Sequence, residues 1–117
     1  DIFTACCENN LSSVNIEWHE EKSLCIVVCS KGYPDKYKNN ILIKNIEKIH
    51  LQQKEFIFHA GTKINKKKIY SNGGRVLNFV VLSNNFKSSK KKAIQLIRKL
   101  NWSNGFYRKD IGFKVIE

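Results

Sequence analysis

The chain has 117 residues, of which 42% are apolar and 26% charged, the make-up of one compact domain that buries about two thirds of its unfolded surface. That balance excludes a disordered chain, and the lack of any apolar run near the roughly 18 residues of a membrane span excludes transmembrane insertion. Lys and Arg number 21 against 10 Asp and Glu, a formal charge of +11, which raises an anionic partner; but lysine supplies 18 of those cations, and Lys, Asn and Ile together make up 45 of the 117 residues, a chain-wide bias that reads as solvated surface and not as a nucleic-acid footprint built on the planar fork of Arg.

The sequence opens on Asp1, contains no Met and shows no basic stretch ahead of an apolar one, so it reads as a single domain, 1–117, cut from a longer protein. Residues 1–10 have helical spacing, with Ile2, Phe3, Cys6 and Cys7 on one side and Asn9-Asn10 as a stop. Residues 1–12 are expected to be the last helix of a preceding domain. Asn15-Ile16-Glu17-Trp18 alternates as a short strand does, with 19–22 as a hairpin into 24–29, whose unbroken apolar run predicts a central strand buried on both faces. The four cysteines fit neither a zinc clamp nor a disulfide frame. Cys25 and Cys29 stand about 13 Å apart along a strand, too far for a bridge. Buried free thiols in a reducing cytosol are the expectation, and with them a cytoplasmic location.

Gly32-Tyr33-Pro34-Asp35 is turn chemistry. Residues 41–43 read as a short strand and 46–53 as a helical turn. In 55–59, alternation places Phe56 and Phe58 on one face, Ile57 and His59 on the other. Residues 64–70 form a hairpin with the 66–68 lysine triplet at its tip, and 75–82 is the longest strand. Positions 86, 93, 94, 97 and 100 trace a helical stripe from Phe86 to Leu100 with Asn85 as N-cap. Lys90 to Lys92 lie in the first half of that helix, against the dipole preference for acids. Strands first and a long helix late predict an α+β fold: an antiparallel or mixed sheet of about five to six strands, the long helix on one face and a short helix at the N-terminus.

Three clusters combine small residues with polar ones beyond the needs of a core. In His59-Ala60-Gly61-Thr62, Gly61 permits close backbone approach and Thr62 offers a hydroxyl. In Ser71-Asn72-Gly73-Gly74-Arg75, backbone N–H groups can cradle an anion beside the Arg75 fork. The third is Tyr107-Arg108-Lys109-Asp110-Ile111-Gly112, where Arg108 and Asp110 either pair locally or face a ligand. Two of only three arginines fall inside these clusters, which marks a need for a bidentate fork. Phosphate-loop, zinc-protease and nucleophile-elbow motifs are absent, as is a carboxylate pair for magnesium. No catalytic or metal-binding residue is assigned to this stretch.

Ser30-Lys31-Gly32-Tyr33-Pro34, Phe58-His59-Ala60-Gly61-Thr62, Asn72-Gly73-Gly74-Arg75-Val76-Leu77 and Tyr107-Arg108-Lys109-Asp110-Ile111-Gly112, in that order, resemble the C-terminal domain of the phosphoribosylamine–glycine ligases, or glycinamide ribonucleotide synthetases, which are ATP-grasp enzymes of purine biosynthesis. The resemblance implies a carbon–nitrogen ligase reaction. ATP phosphorylates the glycine carboxylate, and the amine of 5-phosphoribosylamine displaces phosphate to give glycinamide ribonucleotide. ATP and Mg2+ would be held mainly by preceding ATP-grasp domains, the partners of this piece, which would close one wall of the cleft and be inactive alone. His59, Thr62, Gly73, Gly74, Arg75, Arg108 and Asp110 are the implied substrate-binding residues, with neither a membrane nor a specific nucleic acid as partner. The chain departs from the family's pattern at Asp35, often Gly, and at Asn78, usually small, where a polar group is expected on a largely buried strand. The alternative is a free-standing basic module that binds nucleic acid through the Lys-rich hairpin and helix, which would show a steep salt dependence.

Overall fold

In this computed structural model, which describes residues 1–116, the apolar stripe of the late helix becomes α2 (Phe86–Leu100) with the expected bounds. The Asn85 side chain caps it, accepting a hydrogen bond from the Ser88 N–H at 2.8 Å, and Ser89, Ala93, Leu96, Ile97 and Leu100 face inward. The Ser89 hydroxyl donates to the Lys22 carbonyl at 2.9 Å, tying the first turn to the start of a strand. No acid stands in that turn to complement the dipole, so the helix depends on its cap and its packing. Asn85→Ala is expected to cost about 1 kcal/mol, measured as a lower urea midpoint with an unchanged slope.

The face under α2 comes from alternation in two nine-residue strands. β1 (Lys22–Ser30) buries Leu24, Ile26, Val28 and Ser30. Three shorter strands intervene in sequence before the second long one: β2 (Glu55–His59), then the ribbon β3 (Thr62–Asn65) and β4 (Lys68–Ser71). β5 (Arg75–Ser83) buries Leu77, Phe79 and Val81 on the same side. With β6 (Gly105–Phe106) they form an antiparallel sheet in the order β2-β5-β1-β6, while β3 and β4 pair separately. The fold is α+β, and among the described residues six strands divide between a four-stranded sheet and a two-stranded one. Ile43 and Ile49, from the connection after β1, complete the core beneath the helix.

Several local expectations are corrected. β1 is buried on one face only: Cys25 is exposed, and Val27 and Cys29 are half-buried on the side away from α2. An apolar run is ambiguous between two buried faces and one buried face backed by an open apolar one, and here the second holds. The four thiols are free, but Cys6, Cys7 and Cys25 are exposed and Cys29 partly so; partial burial nevertheless pushes the Cys25 and Cys29 thiols up from their ordinary pKa. Residues 15–18 form no strand. Among the described residues no strand pairs with them, and Trp18 is 87% exposed. The expected 19–22 hairpin is absent too; Glu21 pairs instead with Lys54, whose hydrogen bond holds the carboxyl below its usual range.

The N-terminal helix α1 spans Ile2–Cys7, shorter than expected, and buries Ala5 alone. Residues 41–43 contribute one bridge, Leu42 to Tyr70, and the turn after them is three residues of tight helix, Ile46–Lys48. The lysine hairpin turns on Lys66 and Lys67, at φ +46° and +63°, with Lys68 already paired to Asn65.

Candidate functional site

Arg75 reaches the open face of the sheet through an irregularity in strand pairing. Along β1 and β5 the partners run Val27 with Asn78 and Val28 with Leu77, and then skip to Cys29 with Arg75. Val76 is the extra residue of a β-bulge. Side chains alternate across a sheet, so a regular ladder would put Arg75 opposite Ser30, on the face that α2 covers. The bulge moves it opposite Cys29, on the uncovered face, and the nearby guanidinium works against the upward shift of the Cys29 thiol.

The glycines around Arg75 are places of close approach. A Cβ on Gly61 would stand 2.7 Å from the Arg75 carbonyl oxygen and 2.9 Å from the Gly73 Cα, so the first two sequence clusters are packed backbone to backbone. Gly61 N–H donates to the Arg75 carbonyl at 2.9 Å and Asn72 N–H to the Gly61 carbonyl at 2.7 Å. Ser30 anchors the same loop twice, its N–H to the Gly74 carbonyl and its hydroxyl to the Gly73 carbonyl, both at 2.8 Å. Gly74 lies flat against the Tyr33 ring, and a Cβ there would be 2.0 Å from a ring carbon. Tyr33 in turn meets Tyr37 edge to face at 6.0 Å. The motif after β1 thus braces the glycine loop from one side and the motif after β2 from the other.

An open cavity of about 510 Å³ results, lined by Val27, Tyr33, Tyr37, Ala60, Gly74, Arg75 and Asn78. Among the described residues Arg75 forms no salt bridge, so its fork is available to an anion. A second cavity of about 310 Å³ adjoins it, sharing Val27 and Tyr33; its walls include Cys25, Cys29, Pro34 and Phe106, with Arg108 among its lining residues. These walls are mostly apolar, and this fork is already occupied: Arg108 donates through Nε to Asp110 Oδ1 at 3.0 Å and through a terminal nitrogen to Oδ2 at 2.5 Å. That pairing holds the Asp110 carboxyl below its usual range and raises Arg108 further.

Of the sequence-derived residues, Gly74 and Arg75 line the first cavity and Gly73 stands beside them in the loop, while Arg108 lines the second. His59 and Thr62 lie at the strand end beside Gly61, His59 Nδ1 3.0 Å from Thr62 Oγ1, and line neither cavity; nor does Asp110. Tyr33, Tyr37 and Asn78 were not among the expected site residues. Tyr33 belongs to the Ser30-Lys31-Gly32-Tyr33-Pro34 motif and Asn78 is a polar residue on a strand, the signals that point to those two; Tyr37 carries none.

Residues 23–114 match the family model described as phosphoribosylglycinamide synthetase, C domain. The chain is 35% identical over 111 residues to a phosphoribosylamine–glycine ligase of Caldanaerobacter subterraneus subsp. tengcongensis, covering 95% of this chain and 26% of that protein. It is 34% identical over 118 residues to the Escherichia coli ligase, covering 100% of this chain and 27% of that one. The crystal structure of the Thermotoga maritima phosphoribosylamine–glycine ligase superposes with a TM-score of 0.71 at 25% identity, over 94% of this chain and 27% of that chain. The chain therefore spans about a quarter of the length of these relatives. With the family model covering β1 through the last glycine cluster, the chain belongs to the phosphoribosylglycinamide synthetase C-domain family.

Proposed function

We propose that this chain is the C-terminal domain of a phosphoribosylamine–glycine ligase and that its open sheet face is one wall of the substrate cleft. In that reaction, part of purine biosynthesis, ATP converts the glycine carboxylate into an acyl phosphate. The amine of 5-phosphoribosylamine then attacks the acyl carbon, phosphate leaves, and the amine gives up a proton. What this chain supplies is anion binding. The Arg75 fork and the Gly73-Gly74 backbone take the 5-phosphate of phosphoribosylamine, with Tyr33 and Tyr37 as the cavity's aromatic side. The Arg108–Asp110 pair fixes the rim of the adjoining apolar cavity, and His59 with Thr62 stiffens the strand end behind Gly61.

ATP and Mg2+ belong to the upstream ATP-grasp domains in this reading. The described residues do not fit a magnesium site, since no three His, Cys, Asp or Glu side chains stand close enough together to hold an ion. Helix α1, whose Ile2 and Phe3 are exposed, is the last helix of the preceding domain and docks there. Among the described residues no helix is long and apolar enough to cross a membrane, and the four free thiols suit work in a reducing cytoplasm.

The observation that carries this reading is the unpaired Arg75 fork, turned by the bulge into a cavity walled by glycine backbone. In the full-length enzyme, Arg75→Lys keeps the charge and loses the bidentate geometry. It is expected to raise the KM for phosphoribosylamine about tenfold with the melting temperature unchanged. An unaltered KM, or a variant that only melts earlier, would return Arg75 to a structural role.

A further inference from the structure

Asn78 is out of place by every local rule. It sits in the middle of a central strand, a position where Asn is disfavoured, directly between Val27 of β1 and Phe58 of β2. The next row outward on the same face is Cys25, Val80 and Phe56. A half-buried amide in such a setting costs stability unless it is hydrogen-bonded. Among the described residues, however, its side chain has no hydrogen-bond partner. Its polar atoms are not sealed from solvent either, because they border the Arg75 cavity. A strand that breaks its own pattern at one residue, and does so beside a free guanidinium, is the kind of local conflict that functional sites retain.

We propose that Asn78 is a specificity-determining residue of this cavity, reading a hydroxyl or amine on the sugar of a pentose phosphate whose phosphate is held by Arg75. The inference rests on the function proposed above and adds to it the group that distinguishes a sugar phosphate from phosphate alone. The spacing suits that ligand. Arg75 stands opposite Cys29 and Asn78 opposite Val27, two residues apart on β1, so the two positions are separated by about 7 Å along the sheet, a gap that a pentose 5-phosphate bridges from phosphate to ring. An amide offers both donors and an acceptor, which matches a hydroxyl or amine and adds no charge next to Arg75. An apolar residue at this position would leave the cavity able to hold an anion and unable to read what the anion is attached to.

The test uses the full-length enzyme with two probes, ribose 5-phosphate and inorganic phosphate, binding being measured by calorimetry for wild type, Asn78→Leu and Arg75→Lys. Asn78→Leu is expected to weaken ribose 5-phosphate about tenfold, as the loss of one hydrogen bond to the ligand does. It should leave inorganic phosphate within about twofold, and the melting temperature should hold or rise because an unpaired amide leaves an apolar face. Arg75→Lys should weaken both probes. Unchanged ribose 5-phosphate binding in Asn78→Leu while Arg75→Lys weakens both would overturn the role of Asn78 and leave the anion site standing. Equal weakening of the two probes by Asn78→Leu, or a fall in melting temperature, would make it a structural residue. If Arg75→Lys moves neither probe, the anion site and the reading of Asn78 fall together.

Discussion

Gly74→Ala is expected to lower the stability of the chain by about 1–3 kcal/mol and to disable the anion cavity at the same time. The added Cβ would come 2.0 and 2.4 Å from two carbons of the Tyr33 ring, far inside contact distance, so either the ring or the loop must move. Gly74 is held on the other side, since its carbonyl accepts from the Ser30 N–H and the next residue is Arg75 at the bulge. The ring is the less restrained of the two. Displacing it removes a wall common to both cavities, so phosphate affinity should fall together with the denaturation midpoint. A second substitution makes the argument specific: Tyr33→Ala empties the space that the Cβ needs. In a double-mutant cycle, Gly74→Ala should therefore cost clearly less stability in the Tyr33→Ala background than in the wild type. Additive costs would mean that the steric conflict is not between these two groups. Gly61→Ala provides the contrast, because its Cβ would meet backbone atoms of Arg75 and Gly73 and no side-chain truncation can relieve it.

How much of this could be read from the sequence depends on how far each feature is local. Helix α2 was legible in its bounds, its Asn85 cap and its outer lysines, all local features; its stripe held at Ala93, Ile97 and Leu100, while Leu96, buried as well, stood outside it and Phe86 and Ile94 are only partly buried. β2 and β5 were legible as strands because apolar and β-branched residues fill them and a glycine stands close to one end of each. The face that β1 turns to solvent was not, because Cys25, Val27 and Cys29 are apolar enough to pass for core. Only the placement of α2 on the other side shows which half of the run is covered. The segment at 15–18 failed in the opposite direction, having the right alternation and no partner strand.

The site follows the same division. Its composition was visible in the glycine loops and the scarce arginines, but its geometry turns on one extra residue at Val76. A bulge is a relation between two strands far apart in the chain, and nothing within Asn72-Gly73-Gly74-Arg75-Val76-Leu77 states it. For the same reason Asn78 looked like a polar group misplaced in a buried strand, when it lies on the open face and borders the cavity that Arg75 enters. The pairing of Arg108 with Asp110, by contrast, is a contact between residues two apart, and the sequence offered it as one of two readings.

Phe79→Ala is expected to have the largest effect on stability, about 3–5 kcal/mol, a large share of the roughly 5–15 kcal/mol that holds a domain of this size together. Phe79 is fully buried. It stands at the centre of the row Ile57, Phe79, Ile26 that crosses three strands, on the face that packs against α2. Removing its ring opens a cavity that the flanking strands cannot close, since both are fixed in register by their ladders and the helix above is fixed by Ala93, Leu96 and Ile97. Phe58→Ala is the control, one strand over and on the opposite face. That ring is 54% exposed and stacks on Phe56 with centroids 6.0 Å apart, so its loss should cost about 1 kcal/mol or less. Urea titrations of the two variants, at a common slope, should differ in midpoint accordingly. Equal losses would mean that the sheet is covered on both faces and that the open side described here is closed in solution.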